Sequence, residues 1–163
     1  MLPFLDEFDG RLGLVGVDEL LEKGAGFAVE QGFGFKEDLR FLEERGKMGN
    51  ANASMVSVNA KERLKNQLGT LGSGNHYLEV QVVEKVFDVQ AAKAFGLFEG
   101  QVIISIHCGS RGLGHQVGSD YLEVLDKATK KYKISVPDRE LACAPIQSDE
   151  GQKYFGAVNA AVN

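Results

Sequence analysis

The chain has 163 residues, a net charge of −5 and 44% hydrophobic residues, which is typical of a globular protein of about one domain. This acidic balance excludes a global basic field, so any contact with nucleic acid has to be local. Two cysteines, Cys108 and Cys143, are too few for a disulfide scaffold and favour a reduced, cytoplasmic setting. Residues 1–10 are acidic and unlike a secretory signal, and no apolar run has the length of a membrane span, so we expect no membrane partner.

The sequence pattern up to residue 67 predicts two helices. Glycines cluster over residues 24–35, which indicates tight turns or close backbone approach. A short helix is predicted over residues 36–46, with Gly46 as its C-terminal stop. A second helix is predicted over residues 54–67. Its basic side chains near the end are Lys61, Arg63 and Lys65.

Two strands are predicted in the middle of the chain. Residues 77–86 alternate, with apolar side chains on one side. These are Leu78, Val80 and Val82. Residues 101–107 form a continuous apolar run, which is typical of a strand that is buried on both faces.

The last third of the chain predicts two further helices. Residues 112–132 are amphipathic, and Pro137 prevents the helix from continuing through the next segment. The apolar line of this helix consists of Leu113, Val117, Tyr121, Val124 or Leu125, and Ala128. Ser148 is expected to cap a last helix that runs to the final residue without a capping glycine, and we interpret this end as a fragment boundary. The predicted fold class is therefore α+β, a mixed sheet with flanking helices.

A glycine-rich stretch, LGTLGSGNHYLEV, precedes the first strand at residues 68–80. It is neither a P-loop nor a dinucleotide fingerprint, because no lysine follows Gly74 and a strand, rather than a helix, comes next. His76 opens this strand and His107 ends the other, so both imidazoles can meet at one edge of a sheet. Imidazole is a common metal ligand, but two histidines do not fill a metal site. Further ligands have to come from His115, Cys108, carboxylates or another polypeptide.

Plain structural interpretations stay open for each of these residues. The glycine stretch also fits a simple turn, and His115, in the first turn of the long helix, also fits a surface residue. Cys108 alternates away from His107 and is expected to be a small buried hydrophobe. Residues 110–112, Ser-Arg-Gly, precede a helix and form either an anion site or a surface arginine closing a turn. Arg63 and Lys61 alone indicate a solvated helix face.

Three long stretches resemble the RtcB family of RNA ligases. They read AKERLKNQLGTLGSGNHYLEVQVV, IHCGSRGLGHQVGSDY and VPDRELACAPIQSDEGQKYF, in this order. The resemblance implies an enzyme that joins RNA ending in a 3′-phosphate or 2′,3′-cyclic phosphate to RNA with a 5′-hydroxyl. It also implies GTP and Mn²⁺ as cofactors, guanylylation of a histidine, roles in tRNA splicing and RNA repair on tRNA halves, and archease as a partner.

The resemblance also assigns roles to individual residues. His76 and His107 match two metal-ligand histidines, one for each of two neighbouring Mn²⁺ ions. Arg63 and Arg111 match basic residues along the path of the RNA phosphates. The segment that matches a nucleotide-binding stretch consists of Asn75, His76, Tyr77, Leu78 and Glu79. On a regular strand His76 and Glu79 would point to opposite faces, so the strand has to start later or the turn has to persist through Tyr77.

The chain departs from the family pattern in two ways. No Asp…Cys motif, which in the family supplies a carboxylate and a bridging thiolate, precedes Asn75. The resemblance also implies a later metal histidine and a guanylylated histidine, and we expect residues 1–163 to end before either of them. We therefore expect residues 1–163 to be the central fragment of a ligase domain, without a catalytic nucleophile and inactive alone. Two alternatives are a non-catalytic metal- or anion-binding module or subunit completed by another chain, and a small hydrolase that uses His76, His107 and His115 on one metal.

Overall fold

The computed structural model describes residues 14–163, and these form two compact units. The helical unit consists of residues 14–69 and 110–163, and the hairpin unit of residues 70–109. The acidic segment 1–10, which we expect not to be a secretory signal, lies outside the described residues. No helix within residues 14–163 combines the length and the apolar character that crossing a membrane requires.

Six α-helices and two strands are described, together with short 3₁₀ segments. The helices are α1 (Leu14–Lys23), α2 (Ala25–Glu30), α3 (Val58–Lys65), α4 (Val89–Phe95), α5 (Arg111–Lys131) and α6 (Asp149–Val162). The strands are β1 (Tyr77–Val82) and β2 (Val102–His107), and the 3₁₀ segments are Lys36–Phe41, Glu43–Gly46, Ala53–Met55 and Arg139–Leu141. The predicted α+β class is confirmed.

The core of the helical unit lies where α1, α3, α5 and α6 pack together. Its most deeply buried large side chains are Val17, Leu21 and Val117. The predicted apolar line of the long helix is confirmed, and Leu125, rather than Val124, is its buried member. This burial of one stripe is the main source of helix stability, since isolated helices of this length are marginal in water.

Capping side chains set where two helices begin. The Ser148 hydroxyl accepts a hydrogen bond from the Gly151 amide at 3.1 Å, which confirms the predicted cap of α6. The Ser57 hydroxyl accepts from the Ala60 amide at 3.1 Å, so α3 begins at Val58 and not at residue 54. The 3₁₀ segment Ala53–Met55 occupies the preceding residues.

The single helix predicted over residues 36–46 is wrong. Two 3₁₀ segments replace it, and Leu42 between them is extended, with φ −85° and ψ 146°. Glu44 and Arg45 have positive φ angles of 48° and 57°, which no α-helix accommodates. The physical reason is that Phe41 and Leu42 are exposed, so the burial that would stabilise an amphipathic helix is lacking.

The hairpin unit contains one antiparallel pair, β1 with β2, in register from Tyr77↔His107 to Val82↔Val102. The first strand ends at Val82 and not at residue 86. Burial of the second strand on both faces was also a wrong prediction. One face of the pair is entirely aliphatic, and its side chains are 57–71% exposed: Leu78, Val80, Val82, Val102, Ile104 and Ile106.

We expect the stability of the helical unit to depend on pH through Glu150. Lys131 Nζ donates to Glu150 Oε1 at 2.8 Å, and this hydrogen bond lowers the pKa of Glu150 from 4.5 to about 2. Because the folded pKa is lowered, the stabilisation is complete above about pH 4.5 and is lost as the pH falls towards about 2. Thermal midpoints of the wild type and Glu150→Gln should therefore differ at pH 7 and converge towards pH 2. Lys131→Met should behave in the same way, and a difference that stays constant with pH would contradict the prediction.

Candidate functional site

His76 and His107 lie together at one end of the hairpin unit. His107 ends β2 opposite Tyr77, the first residue of β1, and His76 immediately precedes that residue. Antiparallel pairing brings the start of one strand and the end of the other to the same end of the sheet. The ring centroids of the two histidines are 5.9 Å apart, with the planes tilted by 34°. The predicted proximity of these two imidazoles is confirmed.

One nitrogen of this pair lacks a hydrogen-bond partner. His76 Nδ1 is buried and has neither a donor nor an acceptor beside it. A buried polar atom left without a partner costs about 1–3 kcal/mol, so such atoms are rare unless something else satisfies them. A metal ion bound through the imidazole would satisfy this nitrogen, and the pair therefore fits the group that the resemblance implies.

The nucleotide-binding segment predicted at residues 75–79 divides between the two faces of the hairpin. Since β1 starts at Tyr77, strand alternation begins only after His76. Tyr77 and Glu79 then share the face of His107, whereas Leu78 lies on the aliphatic face. Asn75 is exposed in the turn before the strand. The apparent conflict between His76 and Glu79 is thus removed by where the strand begins.

The glycines of the preceding loop serve the turn geometry. Gly72 and Gly74 have φ angles of 107° and 74°. Side chains with a β-carbon rarely adopt these angles, so the loop requires glycine at both positions. A side chain on Gly109 would bring its β-carbon to 3.7 Å from His76 Nε2. A β-carbon there would make only ordinary van der Waals contact with this nitrogen.

Cys108 is exposed, and its predicted burial is wrong. Strand alternation does not apply to it, because β2 ends one residue earlier at His107. His115 is exposed on α5 in the helical unit, whereas the other two histidines belong to the hairpin unit. In the part of the chain that the structure describes, no three His, Cys, Asp or Glu side chains are grouped so that they could hold a metal ion. This contradicts the site of three histidines on one metal.

Arg63 lies in the last turn of α3 and Arg111 is the first residue of α5, and these two helix ends meet within the helical unit. A β-carbon on Gly112 would lie 3.5 Å from Arg63 Cβ and 2.7 Å from Gln67 Oε1, so a larger residue there would displace the end of the Gln67 side chain. The Gly112 amide donates to Gln67 Oε1 at 2.7 Å. Two arginines beside a helix N-terminus form an environment that favours phosphate.

The neighbouring lysines of α3 are engaged in ion pairs. Lys61 Nζ lies 2.7 Å from Asp18 Oδ1, and the Lys61 side chain is only 11% exposed. Lys65 pairs with Glu62 at 2.7 Å. The interpretation of this helix as a plain solvated basic face therefore does not describe Lys61. Sequence reasoning missed Gln67 altogether, because its contact spans 45 residues and no local pattern marks it.

These features define an α+β protein with an imidazole pair at a strand end and, in its helical unit, an arginine pair at a helix start. A family model described as tRNA-splicing ligase RtcB matches residues 9–163. The chain belongs to the RtcB family.

Curated relatives agree with this assignment. The chain is 56% identical over 153 residues to tRNA-splicing ligase RtcB of Pyrococcus abyssi, covering 94% of this chain and 17% of that protein. It is 57% identical over 147 residues to the protein of the same name in Archaeoglobus fulgidus, covering 90% of this chain and 30% of the relative. It is 55% identical over 153 residues to tRNA-splicing ligase RtcB of Thermococcus kodakarensis, covering 94% of this chain and 32% of that protein. The chain thus spans about a third or less of the length of these relatives.

Proposed function

We propose that this chain is the central part of an RNA ligase that joins a 3′-phosphate or 2′,3′-cyclic phosphate end to a 5′-hydroxyl end by GTP-dependent guanylylation. Family membership supports this activity, since the relatives carry the name tRNA-splicing ligase. The proposed RNA partners are tRNA halves, with archease as an assisting protein. Two cysteines without a disulfide fit action in the cytoplasm.

Mn²⁺ is the proposed metal, and His76 and His107 each supply one imidazole to one of two neighbouring ions. The observation that carries this proposal is the imidazole pair at 5.9 Å with His76 Nδ1 buried and unsatisfied. When bound, such a metal pair neutralises triphosphate charge and activates a phosphoryl centre. The task of the chain is to hold both rings at one strand end, which antiparallel pairing of β1 with β2 does.

GTP is the proposed nucleotide, and residues 75–79 are its proposed contact. Tyr77 and Glu79 face the same side as His107, and the loop before them is rich in glycine, which lets a ligand approach the backbone. Glu79 accepts a hydrogen bond from Gln81 Nε2 at 2.7 Å, which orients its carboxylate. Arg63 and Arg111 are the proposed contacts for RNA phosphate.

A second candidate is a non-catalytic metal- or anion-binding module, or a subunit completed by another chain. The observation that favours it is that residues 14–163 hold no group of three metal-ligating side chains. The imidazole pair still binds metal under this alternative. Metal binding measured at the individual histidines therefore tests the site whichever of the two functions the chain has.

The test titrates Mn²⁺ into the isotopically labelled chain and follows the histidine ring signals by NMR. Bound Mn²⁺ broadens nearby nuclei, so the His76 and His107 signals should disappear first. His76→Ala should reduce the broadening of the His107 ring, and His107→Ala that of the His76 ring, because each substitution removes a ligand from one of the two neighbouring ions. His115→Ala is the matched control and should leave both effects unchanged.

Two outcomes would overturn the metal assignment. Signals of His76 and His107 that stay sharp at millimolar Mn²⁺ remove it directly. A site of three histidines would be supported instead if the His115 ring broadened in parallel with the other two and His115→Ala reduced the broadening of His76 and His107.

A further inference from the structure

We propose that Gln67 is a positioning residue that holds Arg63 and Arg111 together as one phosphate-binding pair. The inference rests on the proposed role of these arginines in binding RNA phosphate. It assigns to Gln67 the task of fixing the first turn of α5 against the end of α3.

The first turn of α5 lacks a cap from its own sequence. Ser110 occupies the N-cap position, and its side chain makes no capping hydrogen bond. The amide that a cap normally satisfies, at Gly112, instead donates to Gln67 Oε1 at 2.7 Å. Gln67 follows the end of α3 by two residues, so one helix end supplies the cap of another.

The glycine at position 112 leaves space for this contact. A β-carbon on Gly112 would come within 2.7 Å of Gln67 Oε1, which would displace the amide group of Gln67. A β-carbon on Gly114 would collide with the Ser110 side chain, which packs beside it. Gly112 therefore lets the first turn of α5 accept the side chain of Gln67, which follows the end of α3.

Arg111 lies in a conformation that needs support. Its φ angle is 52°, in the left-handed region, which is costly for a side chain other than Gly, Asn or Asp. Such a conformation persists only when the surrounding structure holds it. The Gln67 hydrogen bond acts on the very next amide, at Gly112, and so fixes the backbone that directs the Arg111 side chain.

The same contact fixes the second arginine. Arg63 lies one helical turn before Gln67, and its Cβ would be 3.5 Å from a β-carbon on Gly112. The bond between Gln67 and Gly112 therefore sets the separation of the two helix ends that carry Arg63 and Arg111. Two guanidinium groups held at a fixed separation suit the geometry of phosphate oxygens.

The binding experiment compares Gln67→Met, which keeps the side-chain length but removes the acceptor, with Gln116→Met. Gln116 also makes a hydrogen bond from α5, to Asp120 at 2.7 Å, but it does not cap the helix. The probe is single-stranded RNA with a 3′-phosphate, followed by fluorescence anisotropy at several salt concentrations. We expect Gln67→Met to weaken RNA binding about tenfold, because a displaced arginine would lose about one hydrogen bond to a charged phosphate. The slope of the logarithm of the binding constant against the logarithm of the salt concentration should become shallower by about 0.7, the value for one lost phosphate contact on a single strand.

Adding Gln67→Met to the double variant Arg63→Ala/Arg111→Ala should not weaken binding any further, because Gln67 acts through these two arginines. Gln116→Met should leave binding unchanged.

A second readout does not depend on RNA. In Gln67→Met the Gly112 amide hydrogen should exchange faster with solvent, and the Arg111 Cα chemical shift should move towards the helical value. Gln67→Glu retains an oxygen acceptor and should restore the slow exchange. Gly112→Ala disrupts the same contact from the α5 side and should reproduce the Gln67→Met shifts.

The outcomes separate the two proposals. If Arg63→Ala and Arg111→Ala leave RNA binding unchanged, the phosphate role fails, and the positioning role fails with it. If the arginine variants weaken binding but Gln67→Met does not, or if its effect adds fully to that of Arg63→Ala/Arg111→Ala, only the positioning role is overturned. Unchanged Gly112 exchange and an unchanged Arg111 shift in Gln67→Met overturn it as well.

Discussion

Copper, nickel and zinc ions should bind this chain more tightly than manganese, with Cu²⁺ bound most tightly of all. The physical reason is that His76 and His107 supply one imidazole each and leave most of the coordination sphere of either ion to water. Within residues 14–163 no third His, Cys, Asp or Glu joins them in a group that could hold a metal. A site without an imposed geometry follows the intrinsic order of ligand affinity, which places Mn²⁺ at the bottom of the series.

Calorimetric titrations with each metal at the same pH check this order. The double variant His76→Ala/His107→Ala should lose the binding of every metal in the series, and His115→Ala serves as the matched control. Tight, stoichiometric binding of Mn²⁺ would contradict the prediction and would show that the chain contributes ligands besides the two histidines.

The proximity of the two histidines was predictable because it depends on local patterns. Alternation marks β1, the aliphatic run marks β2, and each histidine stands at a strand end. Two strands that pair antiparallel necessarily bring those ends together. The cap of α6 at Ser148 was predictable for the same reason, since donor and acceptor lie three residues apart.

Burial was not predictable from the same patterns. The run from Val102 to Ile106 resembles a strand that is covered on both faces, but sequence does not state which layers cover a strand. In the hairpin unit the side chains of Val102, Ile104 and Ile106 share one exposed face with three side chains of β1. An exposed aliphatic face of this kind is typical of an interaction surface or of a core completed by other residues.

The positioning contact was hidden for a different reason. Gln67 and Gly112 are 45 residues apart, and a side-chain acceptor for a distant backbone amide leaves no periodic signal. The segment 36–46 shows the converse failure. Its pattern fits a short helix that stops at Gly46, but Leu42 is exposed and extended, so tertiary burial did not support the local preference.

Replacing Leu21 by alanine should destabilise the helical unit by about 2–5 kcal/mol, the range for a large buried side chain reduced to a methyl group. Leu21 is 1% exposed on α1 and belongs to the cluster that also contains Leu64 of α3 and Leu113 of α5. The thermal midpoint should fall by about 2–4 °C for each kcal/mol. Leu122→Ala is the matched control, because Leu122 is 46% exposed and its loss should change stability by no more than about 0.5 kcal/mol.

Equal midpoints for the two leucine variants would mean that α1 does not complete this core. Leu21→Ala also separates stability from positioning. The Leu21 carbonyl oxygen accepts a hydrogen bond from Asn163 Nδ2 at 2.8 Å, and this contact survives because the substitution changes only the side chain. Well below its midpoint the variant therefore keeps α3 and α5 in place, and its affinity for RNA with a 3′-phosphate should stay within about twofold of the wild type. Gln67→Met should show the opposite pattern, a small change in midpoint with a large change in affinity, because it alters the placement of Arg111 rather than the packing of the core.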